Sequence, residues 1–122
     1  MTRNGDRADG TTVMLPRGAA AHLTAEAERY QAAGDYIAAA ASLERAMRIE
    51  PGNPWLSLAM ARLRLVEGAP GQAEMLARRA LSRAAGDRIL TNRCWELVAQ
   101  ARQAGGDKAG ALEAARMADQ HQ

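Results

Sequence analysis

The side chains that most often perform catalysis or bind metals are few in this sequence and lie far apart. His22 and His121 are the only histidines, and Cys94 is the only cysteine. Neither histidine has carboxylate or thiol neighbours along the chain that suggest a nucleophilic triad or a zinc site. We therefore expect a protein that is not an enzyme and that carries no metal site and no cofactor.

Two further features favour structural over chemical roles. Residues 105–108, Gly-Gly-Asp-Lys, resemble a phosphate-binding loop but lack the preceding strand, the glycine spacing and the following Ser or Thr, so they indicate a turn between helices. Cys94 directly precedes Trp95 on a predicted helix, where a buried, inert thiol is expected. A redox or partner-linking thiol is the alternative, and it requires an exposed setting that favours the thiolate.

The amino-acid composition indicates which kind of secondary structure must position any functional site. The chain has 122 residues, 48% of them apolar, but 29 are Ala and Phe is absent. Only three Val and three Ile are left to build strands, which nearly excludes a sheet protein. A core of Ala, Leu and Met closes where helices approach tightly, so the sequence predicts a single all-α domain.

Charge and hydropathy exclude other classes of protein. The formal net charge is +2, and Lys108 is the single Lys beside 15 Arg, which with so few aromatic residues disfavours nucleic acid as a partner. No apolar run approaches the roughly 18 residues of a membrane span. The polar first ten residues contain no secretory signal, so we expect a cytoplasmic protein, or a periplasmic or envelope-associated one if an export leader lies upstream.

The first 18 residues differ from the rest and are predicted to form a disordered tail. Within this tail, residues 13–16 are a short apolar patch, Val-Met-Leu-Pro, that is either inert or folds back onto the domain at 19–122.

Self-comparison of residues 19–122 reveals three repeats, at about 20–53, 54–91 and 92–122. Six columns of residues share spacings of 34 and 38. The members of these columns are Gly34, Gly68 and Gly106; Ala27, Ala61 and Ala99; Ala39, Ala73 and Ala111; Ala46, Ala80 and Ala118; Leu23, Ser57 and Trp95; and Leu43, Ala77 and Ala115. The wider second spacing indicates four extra residues near 86–91, which we expect to lengthen the junction before the third repeat.

Each repeat is predicted to be two helices divided by its glycine. Asn53 caps a helix that begins at Pro54, and Gly34–Asp35 and Gly106–Asp107 each place a C-terminal glycine before an N-cap acid. These signals predict six helices at about 20–33, 36–50, 54–67, 70–84, 88–104 and 108–120. The recurring alanines lie where the helices touch and allow their axes to approach to about 8–9 Å.

The pattern is similar to the tetratricopeptide repeat (TPR). Residues Gly34, Asp35, Tyr36, Ala39, Leu43, Ala46 and Pro51 resemble the second half of such a repeat, and Trp95 to Ala118 repeat the pattern with Trp95 at its aromatic position. The resemblance covers about 100 residues and implies a right-handed α-solenoid of three helix-turn-helix repeats. The chain also resembles small proteobacterial envelope proteins with such repeats.

The resemblance implies a non-enzymatic scaffold or adaptor that binds a peptide or partner helix in a concave groove, lined by the first helix of each pair. The groove residues that it implies are Thr24, Glu28 and Gln31; Trp55, Leu58, Arg62 and Leu65; and Arg93, Glu96, Gln100 and Gln103. The spacing of Trp55, Leu58, Arg62 and Leu65 independently places these four on one helical stripe. The family's carboxylate clamps use Lys, Asn and Arg, so Thr24 and Glu28 favour an apolar or mixed-charge partner instead.

Three alternatives stay open at this point. Trp55 either anchors a partner, covers the junction with the first repeat, or is itself covered by the N-terminal tail. Residues 55–104 carry eight Arg and four acids, which indicates either solvated helix faces or an acidic partner surface. The last repeat has no capping helix, so the face around Leu112 and Met117 is either a homodimer contact or a modestly exposed end.

Overall fold

A computed structural model describes residues 12–121 of the chain. Within that range it contains six α-helices and no strand: α1 (Gly18–Ala32), α2 (Tyr36–Ile49), α3 (Pro54–Val66), α4 (Pro70–Ser82), α5 (Arg88–Ala104) and α6 (Lys108–Asp119). Every helix begins and ends within two residues of its predicted position. The all-α prediction is therefore confirmed.

The predicted N-caps are present at the starts of α2, α3 and α6. Asp35, Asn53 and Asp107 accept hydrogen bonds from backbone N–H groups in the first turns of α2, α3 and α6. The turn glycine of each pair has a positive φ, +82° at Gly34, +84° at Gly68 and +88° at Gly106. An L side chain rarely adopts this conformation, which is the physical reason that glycine recurs in this column.

The hairpins stack in sequence as an α-solenoid. The helices pack most extensively within the three hairpins and between α4 and α5, whereas α2 and α3 share a smaller contact. The first helices also touch in series, α1 with α3 and α3 with α5, so they share one side of the stack. The predicted solenoid of three helix pairs is thus confirmed, and one side of it is formed by α1, α3 and α5.

Alanine permits the close packing. Ala39, Ala61, Ala73, Ala77 and Ala80 are completely buried. Ala27 and Ala39, expected to meet within the first hairpin, belong to one core cluster with Leu43 and Leu63. A larger core cluster joins the second and third repeats through Leu58, Leu90, Cys94 and Val98.

The four extra residues of the third repeat differ from expectation. They lengthen the loop only slightly, to residues 83–87 where the preceding junction is 50–53, and chiefly form an additional N-terminal turn of α5, which has 17 residues where α3 has 13. Asp87 caps this turn at the N–H of Leu90, and the Leu90 side chain is completely buried. Burial of the Leu90 side chain stabilises this added turn, whose start at residue 88 was predicted from the sequence.

The apolar patch of the N-terminal tail lies against the domain. The disorder predicted for residues 1–11 lies outside the described residues. Residues 12–17 follow an extended course along the domain, and the backbone of Val13 is hydrogen-bonded to both Trp55 and Asp87. Of the two alternatives for the apolar patch, the structure therefore has it folded back.

Candidate binding groove

A groove runs along the side formed by α1, α3 and α5. It consists of two adjoining cavities, one of about 260 Å³ between α1 and α3 and one of about 240 Å³ between α3 and α5. Gln31, Arg62 and Val66 line both cavities, so the two form one continuous depression. We call this depression the α1–α3–α5 groove.

Most of the residues expected in a groove line this one. The eight that do are Thr24, Glu28, Gln31, Arg62, Leu65, Arg93, Glu96 and Gln100. They come from three helices that are distant in sequence, and the stacking of the hairpins brings them together. Trp55, Leu58 and Gln103 were expected beside them and lie elsewhere.

Leu58 belongs to the core and is a correction to the expected groove. Its side chain is completely buried, in a cluster with Ala61, Ala77 and Cys94. The central helix α3 is packed on both sides, by its own partner α4 and by neighbouring repeats, so an apolar stripe on it does not have to face a ligand. Leu58 is therefore unavailable to a partner in this structure.

Trp55 is half-buried beneath the N-terminal segment. Its indole N–H donates to the carbonyl oxygen of Val13, with 3.0 Å between Nε1 and the oxygen. The ring packs against the core cluster that contains Leu58. The structure thus matches the alternative in which the tail covers Trp55, and this residue does not line the α1–α3–α5 groove.

Gln103 lines a separate, shallow and almost wholly apolar surface between α5 and α6. Leu112, which is 63% exposed, lies on this surface together with Ala104, Ala111 and Ala115. It is continuous with the end of the stack, where a further repeat would pack in a longer solenoid. Gln100 borders both this surface and the α1–α3–α5 groove.

Apart from Leu65, the apolar lining of the groove was not predicted from the sequence. It includes Ala27, Leu43, Ala59, Val66 and Leu97. Ala27 was assigned to helix contact alone, and Leu43 lies on a second helix, which the repeat pattern does not assign to the groove. Val66 offered a signal: it follows Arg62 by four residues, on the same helical face, and it is 49% exposed.

Charge in the groove is mixed and centred on Arg62. The pKa of the Arg62 guanidinium is lowered, first by burial and then by the nearby positive charge of Arg93, while Glu28 and Glu96 act in the opposite direction. Among residues 12–121, neither Arg62 nor Arg93 forms a hydrogen bond or an ion pair. The two guanidinium groups are therefore free to bind a carboxylate or a carbonyl oxygen.

Cys94 and the histidines take no part in this groove. Cys94 is completely buried, and burial raises the pKa of its thiol to about 12. His22 is exposed on α1, and a ring nitrogen of His121 lies 2.8 Å from the carbonyl oxygen of Met117.

Across residues 12–121, no three His, Cys, Asp or Glu side chains are grouped so that they could hold a metal ion. No helix in the same range is long and apolar enough to cross a membrane.

Stacked helical hairpins with a groove along their first helices define a helical-repeat protein. The tetratricopeptide repeat model matches residues 30–101, more than half of the chain, and the chain belongs to this family. Its repeats generally mediate interactions between proteins. Among curated proteins, no sequence matches this chain.

A solved structure supports the same assignment over most of the length. The chain is similar to the globular C-terminal domain of LpoP from P. aeruginosa, with a TM-score of 0.82 and 44% sequence identity. The match covers 87% of this chain and 99% of that domain. The resemblance to proteobacterial proteins with such repeats is thereby confirmed.

Proposed function

We propose that this chain is a non-enzymatic scaffold or adaptor that binds a peptide or partner helix in the α1–α3–α5 groove. The observation that carries the proposal is the continuity of the groove across all three repeats, with an apolar lining and charged walls. A partner with apolar side chains on one face can bury the exposed Val66 and the half-buried Leu65. The unpaired guanidinium groups of Arg62 and Arg93 favour an acidic residue or a backbone carbonyl beside that face.

Mixed charge restricts the partner further. Glu28 and Glu96 flank the two arginines in the same groove, so a uniformly acidic ligand meets repulsion there. An amphipathic segment with isolated charges of both signs fits the groove better than a run of acids. This inference agrees with the mixed-charge partner that the sequence favours.

Crosslinking in cells of the native organism tests the proposal. A photoreactive amino acid in place of Gln31 lies between the two cavities and would report a partner bound in either. We expect a discrete crosslinked protein that weakens at least about tenfold in Arg62→Glu/Arg93→Glu. Arg78→Glu/Arg79→Glu is the matched control on the exposed face of α4. A crosslinked protein that persists in the groove variant, or is lost equally in the control, would contradict the proposal.

Self-assembly is the second candidate, and the apolar surface between α5 and α6 favours it. Leu112 is exposed there among alanines, at the end of the stack. We expect sedimentation equilibrium at micromolar concentrations to detect a dimer, and Leu112→Glu to abolish it. A monomer throughout that range would remove this candidate and leave the groove proposal unaffected.

A further inference from the structure

The extended segment 12–17 is held through its backbone by domain side chains. Hydrogen bonds from residues 13, 14 and 17 join the two parts. They run from Val13 N–H to Asp87 Oδ2 (2.7 Å), from Trp55 Nε1–H to Val13 O (3.0 Å), from Asn53 Nδ2–H to Met14 O (3.2 Å) and from Arg17 N–H to Glu50 Oε2 (3.0 Å). In each case the domain supplies a side chain and the segment supplies a main-chain group. Such contacts bind an extended backbone of many sequences.

One residue of the segment is recognised through its side chain as well. Both main-chain groups of Val13 are bound, and its side chain packs against the core cluster of the second and third repeats. Met14 and Leu15 are 57% and 61% exposed, so they add little burial. The surface thus selects an extended chain that carries a valine-sized side chain at a single position.

Asp87 and Asn53, which bind the backbone of Val13 and Met14, also form hydrogen bonds within the domain. Asp87 is 5% exposed, and its second carboxylate oxygen accepts the N–H of Leu90 at the cap of α5. Asn53 caps α3 at the N–H of Trp55 and donates to Glu50. Since these bonds do not involve the segment, both side chains stay in position when the segment leaves. The site is therefore preformed, and the additional turn of α5 supplies its buried carboxylate.

Much of the segment's contact with the domain lies near the surface. Its contacts at Met14 and Arg17 are exposed to water, and Val13 is the one residue that packs into the core cluster. Ordering six residues costs conformational entropy of the same order as these contacts return. Gly18, with a φ of +54° and open space around it, joins the segment to α1 and permits rotation there.

We propose that Glu50, Asn53, Trp55 and Asp87 form a second peptide-binding site, specific for an extended partner segment with a β-branched residue, and that residues 12–17 are its displaceable internal ligand. None of these four side chains lines the α1–α3–α5 groove. The two sites are therefore separable by mutation. The buried Asp87 carboxylate accepts a hydrogen bond from the N–H of Val13. Because proline has no N–H, a ligand with proline at the position of Val13 should bind poorly.

Nuclear magnetic resonance of the full chain tests the proposal. Val13→Pro removes the N–H that Asp87 accepts and should move the indole N–H resonance of Trp55, while that of Trp95 stays fixed as an internal reference. Adding a capped peptide with the sequence of residues 12–17 at up to about 1 mM should return the Trp55 resonance towards its wild-type position. The wild-type chain should bind the same peptide at least about twofold more weakly, because its own segment competes.

Matched variants make the outcome specific. Leu15→Pro introduces the same ring at a residue with no hydrogen bond of its own among residues 12–121, and it should leave the Trp55 resonance unchanged. Trp55→Phe in the Val13→Pro chain should weaken peptide binding about five- to tenfold, as read from the peptide's own resonances. Val13→Gly, which keeps the backbone bonds, is the second variant if Val13→Pro lowers helical circular dichroism. No response to the peptide, an equal response in the wild-type chain, or an unchanged affinity in Trp55→Phe would each overturn the proposal.

Discussion

Arg102 of α5 donates its Nε hydrogen to the carboxylate of Glu74 on α4, with 3.1 Å between Nε and Oε2. The same guanidinium donates to the carbonyl oxygen of Gly110 on α6, so it joins both helices of the last repeat to the repeat before it. The hydrogen bond with Glu74 is the main cause that raises the pKa of Arg102. This residue lies at the α4–α5 contact, one of the most extensive in the stack.

We expect Arg102→Met to lower the free energy of unfolding by about 1–2 kcal/mol, because it removes the hydrogen bonds of Arg102 to the Glu74 carboxylate and to the Gly110 carbonyl oxygen. Urea denaturation followed by circular dichroism measures the change. Arg78→Met is the matched control, since the Arg78–Glu74 pair is 4.0 Å apart and exposed, and it should cost less than about 0.5 kcal/mol. Equal losses in the two variants would show that Arg102 acts only as a surface charge.

The close approach of the helices predicts that buried alanines resist enlargement. Ala77 is completely buried between the second and third repeats, and Ala77→Leu should destabilise the fold by about 1–3 kcal/mol through overpacking. Ala41→Leu, on the exposed face of α2, should change the free energy of unfolding by less than about 0.5 kcal/mol. Thermal unfolding of both variants beside the wild type measures the difference. If Ala77→Leu unfolds at the wild-type temperature, the alanine columns do not limit the helix spacing.

Cys94 should make the stability fall at high pH. Its pKa is raised to about 12 by burial, above the value of 9.0 for an unperturbed thiol, so the unfolded chain releases this proton first. The stabilising effect is therefore complete below about pH 9 and is lost as the pH rises towards 12. We expect the wild type to lose about 2 kcal/mol more than Cys94→Ala between about pH 9 and 11.

Denaturant titrations of the two chains at several pH values measure this difference. The two chains differ at this one residue, so the comparison isolates the contribution of the thiol. Alkylation of the native wild-type chain by iodoacetamide near pH 8 should also be far slower than that of the unfolded chain. Parallel pH profiles, or rapid alkylation of the folded chain, would point to an accessible thiol and would favour the redox alternative.

Binding in the α1–α3–α5 groove should depend on Arg62 more than on any peripheral arginine. Arg62 lines both cavities, whereas Arg93 lines one. With a partner in hand, Arg62→Ala should weaken binding about 10- to 100-fold and Arg93→Ala by a smaller factor. Isothermal titration calorimetry measures both, with Arg79→Ala on α4 as the control. A larger effect of Arg93 would shift the centre of the interface to the α3–α5 cavity.

The sequence alone determined the architecture, because local signals recur at the same phase in every repeat. Glycines with positive φ and buried alanines recur in all three repeats, and acidic or amide caps add to them at α2, α3, α5 and α6, so the spacings of 34 and 38 were enough to place six helices. Most of the groove followed as well, since stacking the same helix of each hairpin puts equivalent positions side by side.

Only the tertiary structure decided the places where one part of the chain meets another far away in sequence. Leu58 and Trp55 occupy one stripe of α3, yet their surroundings differ. Leu58 is buried against α4 and α5, whereas Trp55 is half-buried and hydrogen-bonded to Val13, 42 residues before it. The burial of Leu90 in the added turn of α5 likewise depends on the neighbouring helices, although the start of this helix at residue 88 was predicted from the sequence. The burial of a side chain depends on neighbours that are distant in sequence, so it cannot be predicted from the spacing of residues within a single repeat.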